Sequence, residues 1–209
     1  MFTKKQYKIC LLILDFLIIA LLTTTFLFVS FQSSFSHALR YFTVLSNLFC
    51  GLTSYISFIT ILASDKMPKW VQILEYSSAV CILITFATVL FFLAPSNDFD
   101  VVYDGANLLL HLIIPLVVLV KFFLLINVHV LSVRHAFIPS SLMFAYSSFY
   151  IINVMVHNGY GTSRYDFYGF GSRGPVVGVI AFVIMVGFGY LLSLLLYFSH
   201  LKMHKLIYR

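Results

Sequence analysis

Six long runs of apolar residues, separated by short polar segments, dominate the pattern of this chain. The runs cover residues 9–31, 41–63, 71–93, 106–127, 136–156 and 175–201. Each run has the roughly twenty residues that an α-helix needs to cross the hydrocarbon core of a bilayer. The runs lack the strict alternation of apolar and polar residues that is typical of membrane-spanning strands. The sequence therefore predicts an all-α integral membrane protein, with one six-helix transmembrane domain over residues 1–209.

The composition supports this class. The chain is 61% hydrophobic and only 10% charged, whereas a soluble domain is about 25% charged. A soluble enzyme is therefore excluded. We expect no metal and no cofactor, because a site built from His111 and His157 would lack the carboxylate or cysteine cluster that metal and haem sites use.

Basic residues gather on one side of the predicted topology. Six spans place both termini on the same side, together with two of the connecting loops. That side holds Lys4, Lys5, Lys8, Lys66, Lys69, Lys121, Arg134, Lys202, Lys205 and Arg209. The opposite side has Arg40, Arg164 and Arg173. Because basic loops stay in the cytoplasm, this pattern predicts cytoplasmic N and C termini, and it explains the net charge of +6 without a nucleic-acid partner.

Three charged residues fall within the apolar runs. Asp15 is expected to be protonated or paired with a neighbouring helix, since an isolated carboxylate is costly in lipid. Glu75 lies near the start of the third run. Lys121 lies near the end of the fourth, where its long side chain is expected to reach the cytoplasmic surface.

Uncharged polar residues gather at the opposite, outer ends of the runs. Asn107 and His111 are four residues apart and share one face of an α-helix, with Asp104 one turn earlier. At 1.5 Å per residue, His111 is roughly 8–9 Å below the start of its span. Thr43 and Asn47 have the same spacing near the outer start of the second run. The pattern predicts a polar pocket that opens towards the outer leaflet.

The longest polar loop is expected to complete the rim of this pocket. It follows the fifth run and carries His157, Tyr160, Arg164, Tyr165 and Asp166. Simpler roles remain open for the pocket residues themselves: a threonine can bond its own helix, and an asparagine can join two helices. A hydroxyl becomes a nucleophile when a neutral imidazole lies beside it, which makes Thr43 and His111 the candidate reactive pair.

Several segments resemble a known family in matching order along nearly the whole chain. Residues 40–48, RYFTVLSNL, resemble the YFTxxSN signature that opens the second span of Pr6Pr, a bacterial family with six spans. Residues 107–111, NLLLH, followed by Pro115, resemble its NxxxHxxxP fourth span. Residues 157–167 resemble its fifth-span end and outer loop, although Asp166 stands where a proline is usual.

Pr6Pr is similar to the eukaryotic androgen-induced gene 1 family, which includes androgen-dependent TFPI-regulating protein. Those proteins are multi-span threonine hydrolases that cleave fatty acid esters of hydroxy fatty acids. Carried over by motif, the resemblance implies Thr43 as nucleophile and His111 as base. It also implies a multi-pass protein of the bacterial plasma membrane.

Two functional hypotheses follow. The first is a hydrolase of lipid esters, in which Asn47 or Asn107 stabilises the oxyanion and Arg164 holds an anionic group. The second is a non-catalytic transporter or lipid-binding scaffold that uses the same pocket. In both cases the partner is a membrane lipid. Gly178, Gly187 and Gly189 in the sixth run also permit close packing against a neighbour or a second copy of the chain.

Overall fold

The computed structural model describes residues 3–32, 38–64, 66–95, 102–126, 131–162 and 164–207, and these ranges contain no β-strand. Six of its helices are long and apolar enough to cross a membrane. They are α1 (Lys4–Gln32), α2 (Phe42–Ala63), α3 (Lys69–Leu93), α4 (Ala106–Leu125), α5 (Val133–Val156) and α6 (Pro175–Ile207). The predicted all-α, six-span fold is confirmed in this form.

The helix bounds follow the apolar runs, with extensions at the two ends of the chain. The first helix begins at Lys4 and the last continues to Ile207, because lysine is a good helix former and does not interrupt the pattern. The last helix begins at Pro175, as predicted. A proline in the first turn of a helix loses no backbone hydrogen bond, since that N–H would have no partner within the helix.

Widened π-helical turns interrupt two of the spans. In α4 the turn covers Leu109–Ile113, where the Ile114 N–H bonds the Leu109 carbonyl. Pro115 explains its position, because proline lacks an N–H and its ring clashes with the carbonyl four residues earlier. Asn107, just before this turn, is exposed, whereas His111, within it, is half-buried. The prediction that both side chains face an internal cavity is therefore wrong for Asn107.

The third helix is the most buried of the six. It packs against α2, α4, α5 and α6, while α1 packs against α2 and α4. Tyr76 in α3 is fully buried, and its hydroxyl lies 2.7 Å from the Ser193 hydroxyl of α6. The Tyr7 hydroxyl donates to the Leu125 carbonyl at 3.0 Å, which joins the start of α1 to the end of α4. We call this the terminal end of the bundle, and the opposite end, beside the loop of residues 157–174, the loop end.

A buried ion cluster joins three helices in the half of the bundle nearer the terminal end. The Lys121 amine of α4 forms salt bridges with Asp15 of α1 and, at 2.6 Å, with Glu75 of α3. Ser57 of α2 donates to the second Asp15 oxygen at 2.7 Å. The prediction that Asp15 pairs with a neighbouring helix is confirmed. The prediction for Lys121 is wrong: its side chain is 1% exposed, because two carboxylates draw the amine inward.

The cluster gives a test of what holds α1, α3 and α4 together. Replacing Lys121 with methionine keeps the length of the side chain but leaves two buried carboxylates without their cation. Removal of one partner from a buried ion pair costs about 3–5 kcal/mol. We expect Lys121→Met to lower the unfolding temperature in detergent markedly. Lys69→Met, at an exposed lysine that begins α3, should change it little, and equal stability of the two variants would contradict the prediction.

Candidate functional site

A pocket lies between α2, α3, α5 and α6 at the loop end of the bundle. Its volume is about 310 Å³, within the range of small-molecule sites. The residues that line it are Phe42, Thr43, Ile84, Thr85, Thr88, Val89, Phe92, Leu93, Met143, Tyr146, Ser147, Tyr150, Ile151, Tyr168, Phe170, Gly178, Ala181, Phe182, Ile184 and Met185. The first and fourth helices contribute none of these residues.

The chemistry of the lining is apolar, with hydroxyl groups as its polar part. Aromatic and aliphatic side chains form most of the wall. Among these lining residues there is no carboxylate, imidazole or amine. The hydroxyls belong to Thr43, Thr85, Thr88, Ser147 and the three tyrosines. Such a wall suits a mainly apolar ligand with few polar groups.

The pocket opens sideways, through the outer surface of the helix bundle. Phe92 and Leu93 of α3 and Ile184 of α6 line the pocket and are also 57%, 41% and 60% exposed. The rings of Phe92 and Phe188 meet edge to face across α3 and α6, with centroids 6.1 Å apart. The pocket therefore opens through the apolar outer surface of the bundle.

Three tyrosines close the loop end of the pocket. The Tyr146 hydroxyl donates to the Arg40 carbonyl at 2.6 Å and shares a 3.0 Å hydrogen bond with the Tyr168 hydroxyl. The Phe42 N–H donates to the same Tyr168 hydroxyl at 2.8 Å. Burial raises the pKa of Tyr168 above its usual value, so this phenol stays neutral. The network ties the loop to the start of α2.

Asp166 anchors the loop above these tyrosines. It is 3% exposed and accepts hydrogen bonds from the Tyr150 hydroxyl, the Gly161 N–H at 2.8 Å and the Gly171 N–H at 3.0 Å. A Cβ at Gly171 would lie 3.0 Å from the carboxylate and 2.8 Å from Tyr160, so only glycine fits there. Asp166 therefore binds its own loop. The sequence had suggested instead that it lies at the pocket rim and faces a substrate.

The other predicted loop residues form a stack at the surface. The His157 and Tyr165 rings are parallel with centroids 4.2 Å apart, and the Arg164 guanidinium lies over the Tyr165 ring at 5.3 Å. His157 Nδ1 lies 2.9 Å from the Asn153 carbonyl and caps α5. Neither these residues nor Tyr160 line the pocket. These residues were predicted to lie at the pocket rim. In the structure they contact each other and the end of α5, and so order the loop.

The structure separates the residues that were predicted to share one cavity. Thr43 lines the pocket, but Asn47, Asn107 and His111 do not. His111 Nδ1 donates to the Val102 carbonyl at 2.9 Å, and α4, which carries it, contributes nothing to the pocket wall. Because Asn107 is exposed and neither Asn47 nor His111 lines the pocket, the prediction of a single cavity that contains all four side chains is wrong.

The two asparagines have different surroundings. Asn47 is fully buried, and its amide donates to the Thr43 carbonyl at 2.7 Å and to the Leu110 carbonyl of α4 at 3.4 Å. It therefore joins two helices, as the simpler role for this residue predicts. Asn107 is exposed, as is Asp104, and the Asn107 N–H donates to the Asp104 carbonyl at 3.0 Å.

The glycines of α6 are used differently along the helix. A Cβ at Gly189 would meet Ile84 at 3.2 Å, so this glycine lets α6 approach α3 closely. Gly178 lies against the backbone of Gly171 in the loop. Gly187 is exposed and faces open space. Two of the three glycines thus serve packing within the chain.

Sequence reasoning missed two groups of residues. The ion cluster has a signal in the sequence. Two acids and one lysine, Asp15, Glu75 and Lys121, lie at similar depths in three different predicted spans. The pocket tyrosines have a weaker signal, because Tyr146 and Tyr150 are spaced like any pair on one helical face. The tyrosine in the loop, Tyr168, could be placed only by the folded chain.

The fold and the pocket define a class of protein: a bundle with six helices that are long and apolar enough to cross a membrane, and with a pocket open to its apolar outer surface. Comparison of the chain with protein-family models, curated proteins and solved structures found no match. The function is therefore argued from the geometry of the site.

The Asp166 anchor can be tested by hydrogen exchange. Asp166→Asn replaces the charged acceptor of three hydrogen bonds by a neutral amide. Hydrogen bonds to charged groups contribute about 1.5–3 kcal/mol, so the amides of Gly161 and Gly171 should exchange roughly ten- to hundredfold faster. Asp104→Asn, at an exposed carboxylate, is the matched control. Unchanged protection in Asp166→Asn would show that the carboxylate does not hold the loop.

Proposed function

We propose that this protein binds the acyl chain of a membrane lipid in the pocket at the loop end. One observation carries the proposal: an apolar pocket of about 310 Å³ whose rim residues are also exposed on the outer surface of α3 and α6. A lipid chain can enter this opening without crossing water. Because the chain moves from lipid and not from water, close packing of its methylene groups against the aromatic wall and a hydrogen bond to a wall hydroxyl supply the binding energy.

The hydroxyls of the wall give the pocket a limited capacity for polar recognition. The Tyr146 and Tyr168 hydroxyls already bond each other and the backbone. The Thr88 hydroxyl is buried and has no hydrogen-bond partner in the described part of the chain. It is free to donate to an ester or carboxyl oxygen of a bound lipid. The proposed ligand therefore has one uncharged acceptor close to an apolar chain.

The proposal includes a location and an orientation. We place the protein in the plasma membrane with both termini in the cytoplasm, so that the pocket opens to the outer leaflet. The support is the distribution of basic residues, because the exposed Lys5, Lys66, Lys69 and Lys202 lie at the terminal end or in loops on that side. Cysteine labelling from outside the cell would test this, since a residue placed at Lys66 should not react.

Lipid binding can be tested by filling the pocket. Ala181 lines it, so Ala181→Phe should place a ring in the space of the acyl chain. Photoactivatable fatty acid in phospholipid vesicles should then crosslink at least fivefold less to the purified variant. Ala145→Phe adds the same ring on the exposed side of α5 and is the matched control. Equal crosslinking of both variants would refute binding at this pocket.

A second candidate function is hydrolysis of a lipid ester at Thr43, and the observation that favours it is the position of Thr43 on the pocket wall. A base would remove the hydroxyl proton, the alkoxide would attack the ester carbonyl, and the alcohol would leave with that proton. Water would then attack the acyl-threonine, release the fatty acid and restore the threonine hydroxyl. His111 is the base in this hypothesis. Since His111 bonds the Val102 carbonyl, the activity requires His111 and Thr43 to approach each other.

The two functions are separated by a reactive probe. If Thr43 is a nucleophile, a fluorophosphonate should label it, and Thr43→Val should lose both labelling and fatty acid release. Thr24→Val changes an exposed threonine of α1 that lies outside the pocket and should keep both. His111→Ala should be as inactive as Thr43→Val, because residues that act as one unit are not additive. Fatty acid release by Thr43→Val at the wild-type rate would rule out Thr43 as the nucleophile and leave the proposal of lipid binding untouched.

A further inference from the structure

One face of α2 is polar along most of its length. Its polar residues lie on one side of the α-helix, in one group from Thr43 to Asn47 and a second group from Thr53 to Ser57. They are Thr43, Ser46, Asn47, Thr53, Ser54 and Ser57. From Ser46 onward each of them is at most 3% exposed. The stripe from Thr43 to Ser57 is about 21 Å long at the rise of an α-helix, and we call it the polar face of α2.

The polar face begins at the pocket. Thr43 lines the pocket, and the Ser46 hydroxyl lies 2.9 Å from the hydroxyl of Thr85, another lining residue. It ends at the ion cluster. Ser57 donates to Asp15 at 2.7 Å, and the Lys121 amine donates to Ser54 at 3.4 Å. Buried polar side chains therefore reach inward from both sites, and the buried Cys50 lies in the gap between Asn47 and Thr53.

Two buried polar atoms in the middle of the polar face have no hydrogen-bond partner in the described part of the chain. They are Asn47 Oδ1 and Thr53 Oγ1. Their side chains are 0% and 1% exposed. Buried polar atoms are nearly always paired with protein or with ordered water. These two atoms thus mark positions between the pocket and the cluster that accept further hydrogen bonds.

The ion cluster carries an imbalance of charge. Two carboxylates, Asp15 and Glu75, face one ammonium, Lys121, and all three side chains are at most 4% exposed. The helices packed around them are α1 to α4, and the titratable groups that these bring to the cluster in the described ranges are those three and the Cys50 thiol, which bonds Ser54. With all three ionised, one negative charge would stay uncompensated in the interior, which is strongly unfavourable.

We propose that the Asp15–Lys121–Glu75 cluster is a proton-binding site, and that the polar face of α2 is the path by which a proton reaches it from the pocket. The proton binds one carboxylate oxygen and makes a carboxylic acid. Lys121 then pairs with the remaining carboxylate, and the cluster is neutral. Release of the proton restores the second carboxylate.

The transfer along the polar face needs no other reactant. Each hydroxyl accepts a proton on its oxygen and passes its own proton to the next group, so every side chain returns to its starting composition. Water that bonds Asn47 and Thr53 would bridge the longer steps, as it does for unpaired groups elsewhere. This inference is independent of lipid binding and of hydrolysis, because it uses neither a ligand nor the reactivity of Thr43.

Infrared spectroscopy of the protein in lipid tests the bound proton. At neutral pH the wild-type protein should show the C=O band of a protonated carboxylic acid. Asp15→Asn and Glu75→Gln should each remove the band, because the remaining carboxylate and Lys121 then balance without a proton. Both variants keep that ion pair, so we expect them to fold. Asp104→Asn, at an exposed carboxylate, should keep the band. Its absence from the wild type, or its removal by only one of the two variants, would overturn the site.

The same band tests the path. On transfer to heavy water the band shifts as the bound proton is replaced by deuterium. Thr53→Val removes a hydroxyl from the middle of the polar face at almost constant volume and should slow this shift at least tenfold, with the band itself unchanged. Thr24→Val is the control, since Thr24 is exposed on α1 and bonds its own helix at Ala20. An equal rate of exchange in Thr53→Val and Thr24→Val would overturn the path.

Discussion

The salt bridges of Lys121 with Asp15 and Glu75 are the interaction on which this bundle depends. Apolar side chains gain little from contact with each other when the alternative is lipid, so helices in a bilayer associate through close packing and polar contacts. A charged group would be expensive alone in the interior, and the pairing of Lys121 with the two acids makes the charges tolerable there. The cluster therefore fixes the rotation of α1, α3 and α4 about their own axes. Because α3 also packs against α5 and α6, its position helps to fix theirs. The contact of Tyr76 with Ser193 of α6 is one example.

The number and bounds of the helices could be predicted because bilayer thickness sets the length of an apolar run. The direction of a side chain could not, because run length contains no information about rotation around the helix axis. Lys121 shows the difference. Its position near the end of an apolar run suggested an outward-reaching lysine, yet the side chain turns inward to the two acids of neighbouring helices. Matching charges across predicted spans would have been the better argument.

The candidate site shows a second limit of sequence reasoning. The spacing of Asn107 and His111 does not show whether their side chains face the interior, a loop or the outside of the bundle. Pro115 was visible in the sequence, but the widened turn that accommodates it forms only when the backbone resolves the clash with the His111 carbonyl. Thr43 was placed correctly on a pocket wall, whereas the tyrosines opposite it depend on how the loop folds back. Asp166, the departure from the usual loop motif, is the residue that holds that loop in place.

The length of α6 has a mechanical consequence. With 33 residues it is about 50 Å long, whereas the hydrocarbon core of a bilayer is about 30 Å thick. A helix longer than the hydrocarbon core either tilts in the bilayer or projects beyond it. The tilt angle therefore depends on the thickness of the bilayer. The first turns of α6, from Gly178 to Met185, form one wall of the pocket. Any change in tilt moves that wall, so the width of the pocket becomes sensitive to the thickness of the surrounding membrane.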